Sequence, residues 1–161
     1  MKITFIQTGG TIDKDYPKTN KGYAFEFGEP ATRRILEKLN PTFKYEILTA
    51  CQKDSLEITN DDRQELVNLI NENSADKFII THGTDSMIET ANFILPKIKN
   101  KVIILTGAMR PEQFSNSDAP INVGGAIAAT QILEAGVYLF MTGILKSCSE
   151  IKREMETGKF Y

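Results

Sequence analysis

Three short segments of this chain combine threonine hydroxyls with glycine, and each follows an apolar run. They are residues 8–12 (TGGTI), 81–85 (THGTD) and 106–111 (TGAMRP). A hydroxyl can attack a carbonyl carbon once a neighbouring group removes its proton, and glycine lets other atoms approach the backbone closely. The pattern therefore predicts an enzyme active site.

Two threonines carry most of this prediction. Thr11 follows two glycines, so its hydroxyl can project at the end of a strand, although a threonine at this position can equally cap a turn. Thr84 precedes Asp85, which either caps a helix predicted over residues 85–95 or holds a substrate ammonium. The backbone N–H groups of Gly83 and Thr84 are candidate donors to an oxyanion.

Other kinds of chemistry fit the sequence less well. We expect the single histidine, His82, to be a hydrogen-bonded residue under the turn, so proton transfer falls to a tyrosine or a lysine. The glycines match neither the phosphate-loop nor the dinucleotide-binding pattern. Cys51 and Cys148 lack metal-ligand spacing. We therefore expect no cofactor, no metal site and no disulfide.

The three segments must be brought together by the strands that precede them. These strands are predicted over the apolar runs at residues 3–7, 77–80 and 101–105. If the runs are neighbouring parallel strands, the segments meet at the carboxyl edge of the sheet, where open α/β sheets bind ligands.

Apolar runs alternate with helical patterns along the whole chain. This alternation predicts an α/β fold, a largely parallel sheet with helices on both faces, and hence a three-layer α/β/α sandwich. Thr59, followed three residues later by Asp62, is typical of a capping box that opens a helix. The predicted segments are residues 3–7, 30–39, 43–49, 60–73, 77–80, 85–95, 102–105, 121–134 and 137–141.

Two segments depart from this alternation. Residues 13–29 are polar but hold aromatic residues in partial alternation, which predicts either a flap that closes over a small ligand or an ordinary exposed hairpin. Residues 146–161 are charged and less periodic. We expect them to form a loop and a short helix docked on the sheet, or an arm that reaches a second subunit.

The composition limits the possible partners. The 161 residues carry a formal net charge of -2 without a basic stripe, so nucleic acid is not an expected partner. No apolar run approaches the ~20 residues that span a bilayer, and the first residues lack a signal-peptide core. We expect a cytoplasmic protein without a membrane partner, folded as one domain over residues 1–161.

The motifs resemble those of the bacterial-type L-asparaginases, whose hallmarks are a Thr-Gly-Gly-Thr-Ile segment and a His-Gly-Thr-Asp segment. The likeness continues in the same order through residues 84–91 (TDSMIETA), 107–111 (GAMRP) and 117–122 (SDAPIN). The resemblance implies the fold of the asparaginase N-terminal domain, with a mixed, mostly parallel sheet. It also implies that Thr11 is the nucleophile and that Thr84 and Asp85 act beside it.

The resemblance implies two further catalytic residues. Tyr23, in the predicted flap, corresponds to a tyrosine that assists the nucleophile, with Tyr16 as a weaker candidate. Lys152 lies seven residues after Leu145, which is the family's spacing for the lysine that pairs with the second threonine. Arg153 and Lys146 are its close competitors.

The resemblance also implies a substrate-binding set. Ser55 would bind the substrate's α-carboxylate, whereas Leu56 stands where family members usually carry a polar residue. Because Leu56 cannot donate a hydrogen bond, recognition of the amino-acid backbone should be weakened or altered. The whole set is Gly10, Ser55, Gly83, Thr84, Asp85 and Ala108.

Family members are about twice as long as this chain and carry a C-terminal domain that helps to complete the neighbouring subunit's active site. We expect the absence of that domain to remove an acidic contact to the substrate ammonium and much of the dimer interface. The family's habit predicts a homo-oligomer, either a dimer or a tetramer.

The resemblance thus implies an amidohydrolase that converts the side-chain amide of a small amino acid, first of all L-asparagine, to the acid and ammonia through a threonine acyl-enzyme. Two alternatives stay open. The chain could be a non-catalytic module that binds a small amino acid, which the retained nucleophilic and proton-handling residues argue against. It could also be an amidase subunit for a larger or different amide, which Leu56 favours.

Overall fold

One six-stranded sheet organises the molecule. The computed structural model describes residues 1–16 and 25–161. Its strands are β1 (Lys2–Gly9), β2 (Lys14–Asp15), β3 (Glu26–Phe27), β4 (Lys44–Lys53), β5 (Lys77–Thr81), β6 (Val102–Thr106), β7 (Gly136–Met141) and β8 (Ile144–Ser147). Its α-helices are α1 (Ala31–Leu39), α2 (Asn60–Glu72), α3 (Met87–Ile94) and α4 (Ala119–Ala129), and short 3-10 turns cover Thr11–Asp13, Ser55–Glu57 and Leu95–Lys97.

The strand order across the main sheet is β4-β1-β5-β6-β7-β8. The first five strands are parallel, and β8 pairs antiparallel with β7 at the edge, so the predicted mixed, mostly parallel sheet is confirmed. β1, β5 and β6, the strands that precede the three motif segments, are neighbours, as predicted. The chain places β4 on one side of β1 and β5 on the other, so the strand order reverses at the β1–β5 pair, where doubly wound sheets bind ligands.

Helices cover both faces of the sheet. On one face, α2 and α3 bury Leu66, Ile70 and Met87 against strand residues such as Ile80. On the other face, α1 and α4 bury side chains against strand residues such as Ile79. Successive strand residues point to opposite faces, and both faces of the central strands are buried, which explains their continuous apolar sequences. The three-layer α/β/α prediction is confirmed.

Several element boundaries differ from the prediction. β4 continues to Lys53, so it brings the following turn closer to the carboxyl edge of the sheet. α3 begins at Met87 rather than at residue 85, and α4 spans Ala119–Ala129 rather than residues 121–134.

The predicted short helix in residues 146–161 is wrong. β7 turns directly into β8 through Thr142 and Gly143, whose φ angles of 50° and 83° are those of a two-residue hairpin turn. After β8, the chain folds back on itself, and Arg153 forms an antiparallel bridge with Phe160.

The base of the predicted flap is an antiparallel pair, with Asp15 opposite Glu26. Next to it, Tyr16 stacks on Phe114 with ring centroids 5.8 Å apart, and Phe25 contacts both rings. Tyr16 is 66% exposed. Residues 17–24, which include Tyr23, lie outside the described residues.

The edge of the sheet where the strands begin holds a cavity of about 400 Å³ that is lined by residues such as Lys2 and Lys77. The three motif segments lie at the other edge, so this cavity does not belong to their site. No helix among the described residues is long and apolar enough to cross a bilayer.

Candidate active site

The first two motif segments meet through their glycines. Gly10 follows β1 with φ 80°, and its N–H donates to the carbonyl oxygen of Lys53 at 3.0 Å. A Cβ on Gly10 would lie 2.3 Å from the backbone nitrogen of Gly83 and 2.4 Å from its Cα. Two backbone segments can approach this closely only if both residues at the contact lack a side chain. The contact between the two glycines therefore brings the residues that follow them, Thr11 and Thr84, close together.

Ser55 joins the same contact from the end of β4. Its side chain is buried, and a Cβ on Gly83 would lie 2.7 Å from the Ser55 Cβ. The N–H of Asp85 donates to the Ser55 Oγ at 3.3 Å, and the Ser86 hydroxyl donates to the Ser55 carbonyl oxygen at 2.5 Å. Three of the predicted substrate-binding residues, Ser55, Gly83 and Asp85, therefore form one connected group.

The third segment packs against the second. The His82 N–H donates to the carbonyl oxygen of Thr106 at 2.9 Å, and a Cβ on Gly107 would lie 2.3 Å from the carbonyl oxygen of His82. Ala108, which follows, is buried. The carboxyl edges of β1, β5 and β6 are thus locked together by backbone contacts.

The nucleophile candidates are partly accessible. Thr11 opens the 3-10 turn Thr11–Asp13 and is half-buried, and Thr84 is half-buried in the loop between β5 and α3. At both positions, the fold holds the backbone while part of the threonine side chain stays accessible to a ligand.

His82 supports the turn from below and is fully buried. Its Nδ1 lies 2.7 Å from the carbonyl oxygen of Gly83, and its Nε2 lies 2.9 Å from the Thr90 hydroxyl. Since a carbonyl oxygen only accepts, the proton belongs on Nδ1, and the Thr90 hydroxyl donates to Nε2 while accepting from Arg63 Nε at 3.0 Å. Burial lowers the pKa of His82 to about 4, so the ring is neutral near pH 7. The predicted structural role of His82 is confirmed.

Asp13 is a buried carboxyl group for which the sequence predicted no role. Its side chain accepts the N–H of Ala31 at 2.7 Å, at the start of α1, and lies 3.4 Å from the Thr81 hydroxyl. Burial raises its pKa to about 6. Asp13 therefore ties the turn that holds Thr11 to β5 and α1. The only sequence signal was its position two residues after Thr11.

Asp85 does not cap α3. That helix begins at Met87 with Ser86 at the N-cap position, so the predicted capping role of Asp85 is wrong, and the N–H groups of Gly83 and Thr84 belong to a loop rather than to a helix start. Instead, Asp85 forms an ion pair with Arg153, whose Nη1 lies 2.6 Å from Oδ1. This contact joins residues 68 positions apart, and no local pattern indicates it.

Lys152 lies beside this ion pair in the chain. Its side chain is exposed, and its backbone N–H and carbonyl group exchange two hydrogen bonds of 3.0 Å with Tyr161. Its neighbour Arg153 is the residue that contacts Asp85. Leu56, next to Ser55, is 80% exposed.

Comparisons with known proteins identify one family. A family model described as the N-terminal part of asparaginase matches residues 2–158. The probable periplasmic L-asparaginase of Haemophilus influenzae is 33% identical over 133 residues, which cover 78% of this chain and 37% of that protein. The thermostable L-asparaginase of Thermococcus kodakarensis is 27% identical, with a TM-score of 0.81 over 95% of this chain and 48% of that chain.

A third relative carries a different name. A glutamyl-tRNA(Gln) amidotransferase subunit of Methanococcus vannielii is 41% identical over 73 residues, which cover 45% of this chain and 17% of that protein. The chain spans about half, or less, of the length of all three relatives. The family match over residues 2–158 and the convergence of the three threonine and glycine segments show that this chain belongs to the asparaginase family.

Proposed function

We propose that the chain is an amidohydrolase that releases ammonia from a small amide, with L-asparagine as the first substrate to examine. The observation that supports this most is the contact between Gly10 and Gly83 at the point where the strand order reverses. It sets the Thr11 and Thr84 segments side by side at the edge where doubly wound sheets bind ligands.

In the proposed reaction, the Thr11 hydroxyl attacks the amide carbon, the tetrahedral intermediate expels ammonia, and an ester with Thr11 remains. Water then attacks this ester and releases the acid and the free threonine. Thr84 and Lys152 would handle the proton of the attacking hydroxyl and of the water, and Tyr23 would assist Thr11. The proximity of the first two segments supports the pairing of Thr11 with Thr84.

For substrate binding, we propose the backbone of Gly10, Gly83 and Ala108 with the side chain of Ser55. Two contacts support this proposal. Gly83 is in direct contact with Ser55, and Ala108 directly follows Gly107, which packs on His82. Backbone N–H groups at such a site can stabilise the negative charge that develops on the amide oxygen.

The test is ammonia release from L-asparagine, L-glutamine and D-asparagine by the purified protein. Thr11→Val removes the hydroxyl but keeps the shape of the side chain, and it should abolish release. Thr11→Ser keeps a hydroxyl and should retain measurable release. If Thr11→Val is as active as the unchanged protein, Thr11 is not the nucleophile.

A second candidate function is that of an amidase subunit that works with a partner. It is favoured by the similarity to a glutamyl-tRNA(Gln) amidotransferase subunit and by the exposed Leu56. Ammonia release that appears only when a partner protein is added would support this function over the first.

We also propose that the protein is a cytoplasmic homo-oligomer, a dimer or a tetramer, as the family resemblance implies. Light scattering combined with size-exclusion chromatography would measure the mass in solution. A mass of 18.0 kDa, that of one chain, would contradict this proposal.

A further inference from the structure

A row of hydrogen bonds runs from the protein interior to the peptide bond between Gly83 and Thr84. Arg63 on α2 donates through Nε to the Thr90 hydroxyl oxygen at 3.0 Å, and this oxygen lies 2.9 Å from Nε2 of His82. The other ring nitrogen, Nδ1, lies 2.7 Å from the Gly83 carbonyl oxygen. Because Arg63, His82 and Thr90 are all buried, little water competes for these contacts.

The donors and acceptors in this row agree on one arrangement. Arg63 can only donate, so the Thr90 oxygen accepts from it and directs its own proton to Nε2 of His82. The Gly83 carbonyl oxygen can only accept, so the ring proton lies on Nδ1. Arg63 is itself fixed, because its Nη1 also lies 3.1 Å from the Glu89 Oε1. Helices α2 and α3 therefore set the tautomer and the orientation of the ring.

The direction of the Gly83 carbonyl group determines the direction of the next N–H. No peptide bond among the described residues is cis, and in a planar trans peptide the C=O and the following N–H point in opposite directions. Since the carbonyl group points at the His82 ring, the Thr84 N–H points away from it. This N–H has no acceptor within residues 1–16 and 25–161. Thr84 is half-buried, so the N–H is a donor that a ligand can reach.

The same N–H lies close to the candidate nucleophile in the fold. A Cβ on Gly10 would lie 2.3 Å from the Gly83 nitrogen, and Thr11 and Thr84 directly follow these two glycines. A donor that is already oriented needs no rearrangement when negative charge develops on the amide oxygen, which makes it effective in stabilising the transition state.

We propose that Arg63, Thr90 and His82 are positioning residues that hold the peptide bond between Gly83 and Thr84 with its N–H directed at the amide oxygen of the substrate. None of the three would touch the substrate. The proposal rests on the proposed amidohydrolase function, because it concerns the oxyanion formed in that reaction. It adds an effect on kcat to the structural role of His82.

The first experiment compares Thr90→Val with Thr90→Ser. Valine keeps the shape of threonine but not the hydroxyl, so the His82 ring loses its partner at Nε2, and kcat for ammonia release should fall about tenfold or more. KM should change less than about twofold, because the oxyanion forms only after the substrate has bound. Serine keeps the hydroxyl and should restore most of kcat.

Thr130→Val is the matched control for Thr90→Val. The Thr130 hydroxyl is equally buried and donates to the Ile127 carbonyl oxygen at 2.8 Å, at the end of α4. Its loss should cost similar stability and leave both kcat and KM unchanged. A drop in kcat confined to Thr90→Val therefore reports on the site and not on general stability.

Nuclear magnetic resonance tests the arrangement without turnover. His82 is the single histidine of the chain, so isotope-labelled protein without a histidine tag gives the signals of one ring. We expect a proton on Nδ1 and none on Nε2 near pH 7. A proton on Nε2 in the unchanged protein overturns the proposal.

Ligand binding distinguishes a failure of the proposal from a failure of the proposed function. If no amide releases ammonia, L-aspartate is the probe, because its side-chain carboxylate takes the place of the reacting amide. The amide signal of Thr84 should shift on adding L-aspartate to the unchanged protein and to Thr90→Ser, and less in Thr90→Val. The proposal is overturned by no shift in the unchanged protein, or by equal kcat or equal shifts in folded Thr90→Val and Thr90→Ser. If Thr90→Val does not fold, the ring tautomer and the shift in the unchanged protein decide.

Discussion

Gly10 is required by the space around it as well as by its backbone angle. Its φ of 80° is unfavourable for any residue with a Cβ, and the position of that Cβ is already filled by the backbone of Gly83. The backbone segments that follow two neighbouring strands are fixed by the sheet, so these atoms cannot move aside as a side chain can. A side chain at position 10 would therefore push Thr11 and Thr84 apart.

The first prediction concerns this contact. Gly10→Ala should lower the free energy of unfolding by about 2–4 kcal/mol, since the positive φ angle and the overlap each cost about 1–2 kcal/mol. It should also abolish ammonia release in whatever protein remains folded. Urea denaturation and the ammonia assay on the same sample measure both effects.

Gly124→Ala is the matched control for this substitution. Gly124 lies within α4, and nothing occupies the space that its Cβ would take. Alanine there should raise the free energy of unfolding by about 0.5–1 kcal/mol through its better helix propensity. A Gly10→Ala variant as stable as Gly124→Ala would contradict the close contact at Gly10.

The second prediction concerns Lys152. If Lys152 and Thr84 handle protons, Lys152→Met should lower kcat by about 10²–10⁴-fold while the protein stays folded, because the general acid–base step is lost. Lys159→Met makes the same charge change at another exposed lysine of the C-terminal segment that has no proposed catalytic role, and its kcat should be unchanged. If Lys152→Met and the control variant are equally active, a group other than Lys152 transfers the proton.

At the scale of an element, α2 begins with a reciprocal cap. The Thr59 hydroxyl accepts the N–H of Asp62, and the Asp62 carboxylate accepts the N–H of Thr59 at 2.8 Å. The same carboxylate binds Lys53 Nζ at 2.7 Å, at the end of β4. The cap therefore fixes α2 to the strand that leads into the Ser55 turn.

The third prediction follows from this cap. Thr59→Ala should lower the free energy of unfolding by about 1 kcal/mol, because one N–H group at the start of α2 loses its acceptor. Thr42→Ala replaces an exposed threonine in the loop before β4 and should change the free energy of unfolding by less than about 0.5 kcal/mol. If Thr59→Ala and Thr42→Ala have indistinguishable unfolding curves, the cap does not contribute to stability.

The elements that depend on local sequence could be predicted. Both faces of β5 and β6 are covered by helices, so their sequences are continuous apolar runs, and the cap of α2 is encoded by Thr59 and Asp62 alone. The convergence at the β1–β5 pair followed from the parallel order of the strands. Fold class and the meeting of three motif segments were therefore accessible from the sequence.

The misses come from contacts between distant parts of the chain. Asp85 precedes a helix and has the residue type of a cap, but its carboxylate binds Arg153 instead. The turn between β7 and β8 uses Thr142 at a positive φ angle, which threonine rarely adopts, so the hairpin was not predicted. The burial of Asp13 likewise depends on β5 and α1 closing over it.

At the scale of the whole molecule, two buried groups give stability opposite responses to pH. Burial raises the pKa of Asp13 from 3.8 to about 6, so its contribution to stability is fully present below pH ~4 and is lost as the pH rises through about 6. Burial lowers the pKa of His82 from 6.5 to about 4, so its contribution is fully present above pH ~6.5 and is lost as the pH falls through about 4.

The two responses oppose each other between pH 4 and 6. In this range, the unfolded chain has released the Asp13 proton that the folded chain keeps, and it holds the His82 proton that the folded chain has lost. The numbers of protons bound at these two sites therefore nearly balance. Together, the two groups should leave the free energy of unfolding almost independent of pH in this range.

Removing either group should expose the response of the other, which is the fourth prediction. In Asp13→Asn, which can still accept the Ala31 N–H, the free energy of unfolding should rise by about 1 kcal/mol per pH unit from pH 4 to 6, and in His82→Gln it should fall at a similar rate. Urea denaturation at pH 4, 5 and 6 measures these slopes, with Asp61→Asn as an exposed carboxylate control that should follow the unchanged protein. If Asp13→Asn also follows the unchanged protein, Asp13 does not hold its proton in the folded state, and the stability of the turn beneath Thr11 must be assigned to other contacts.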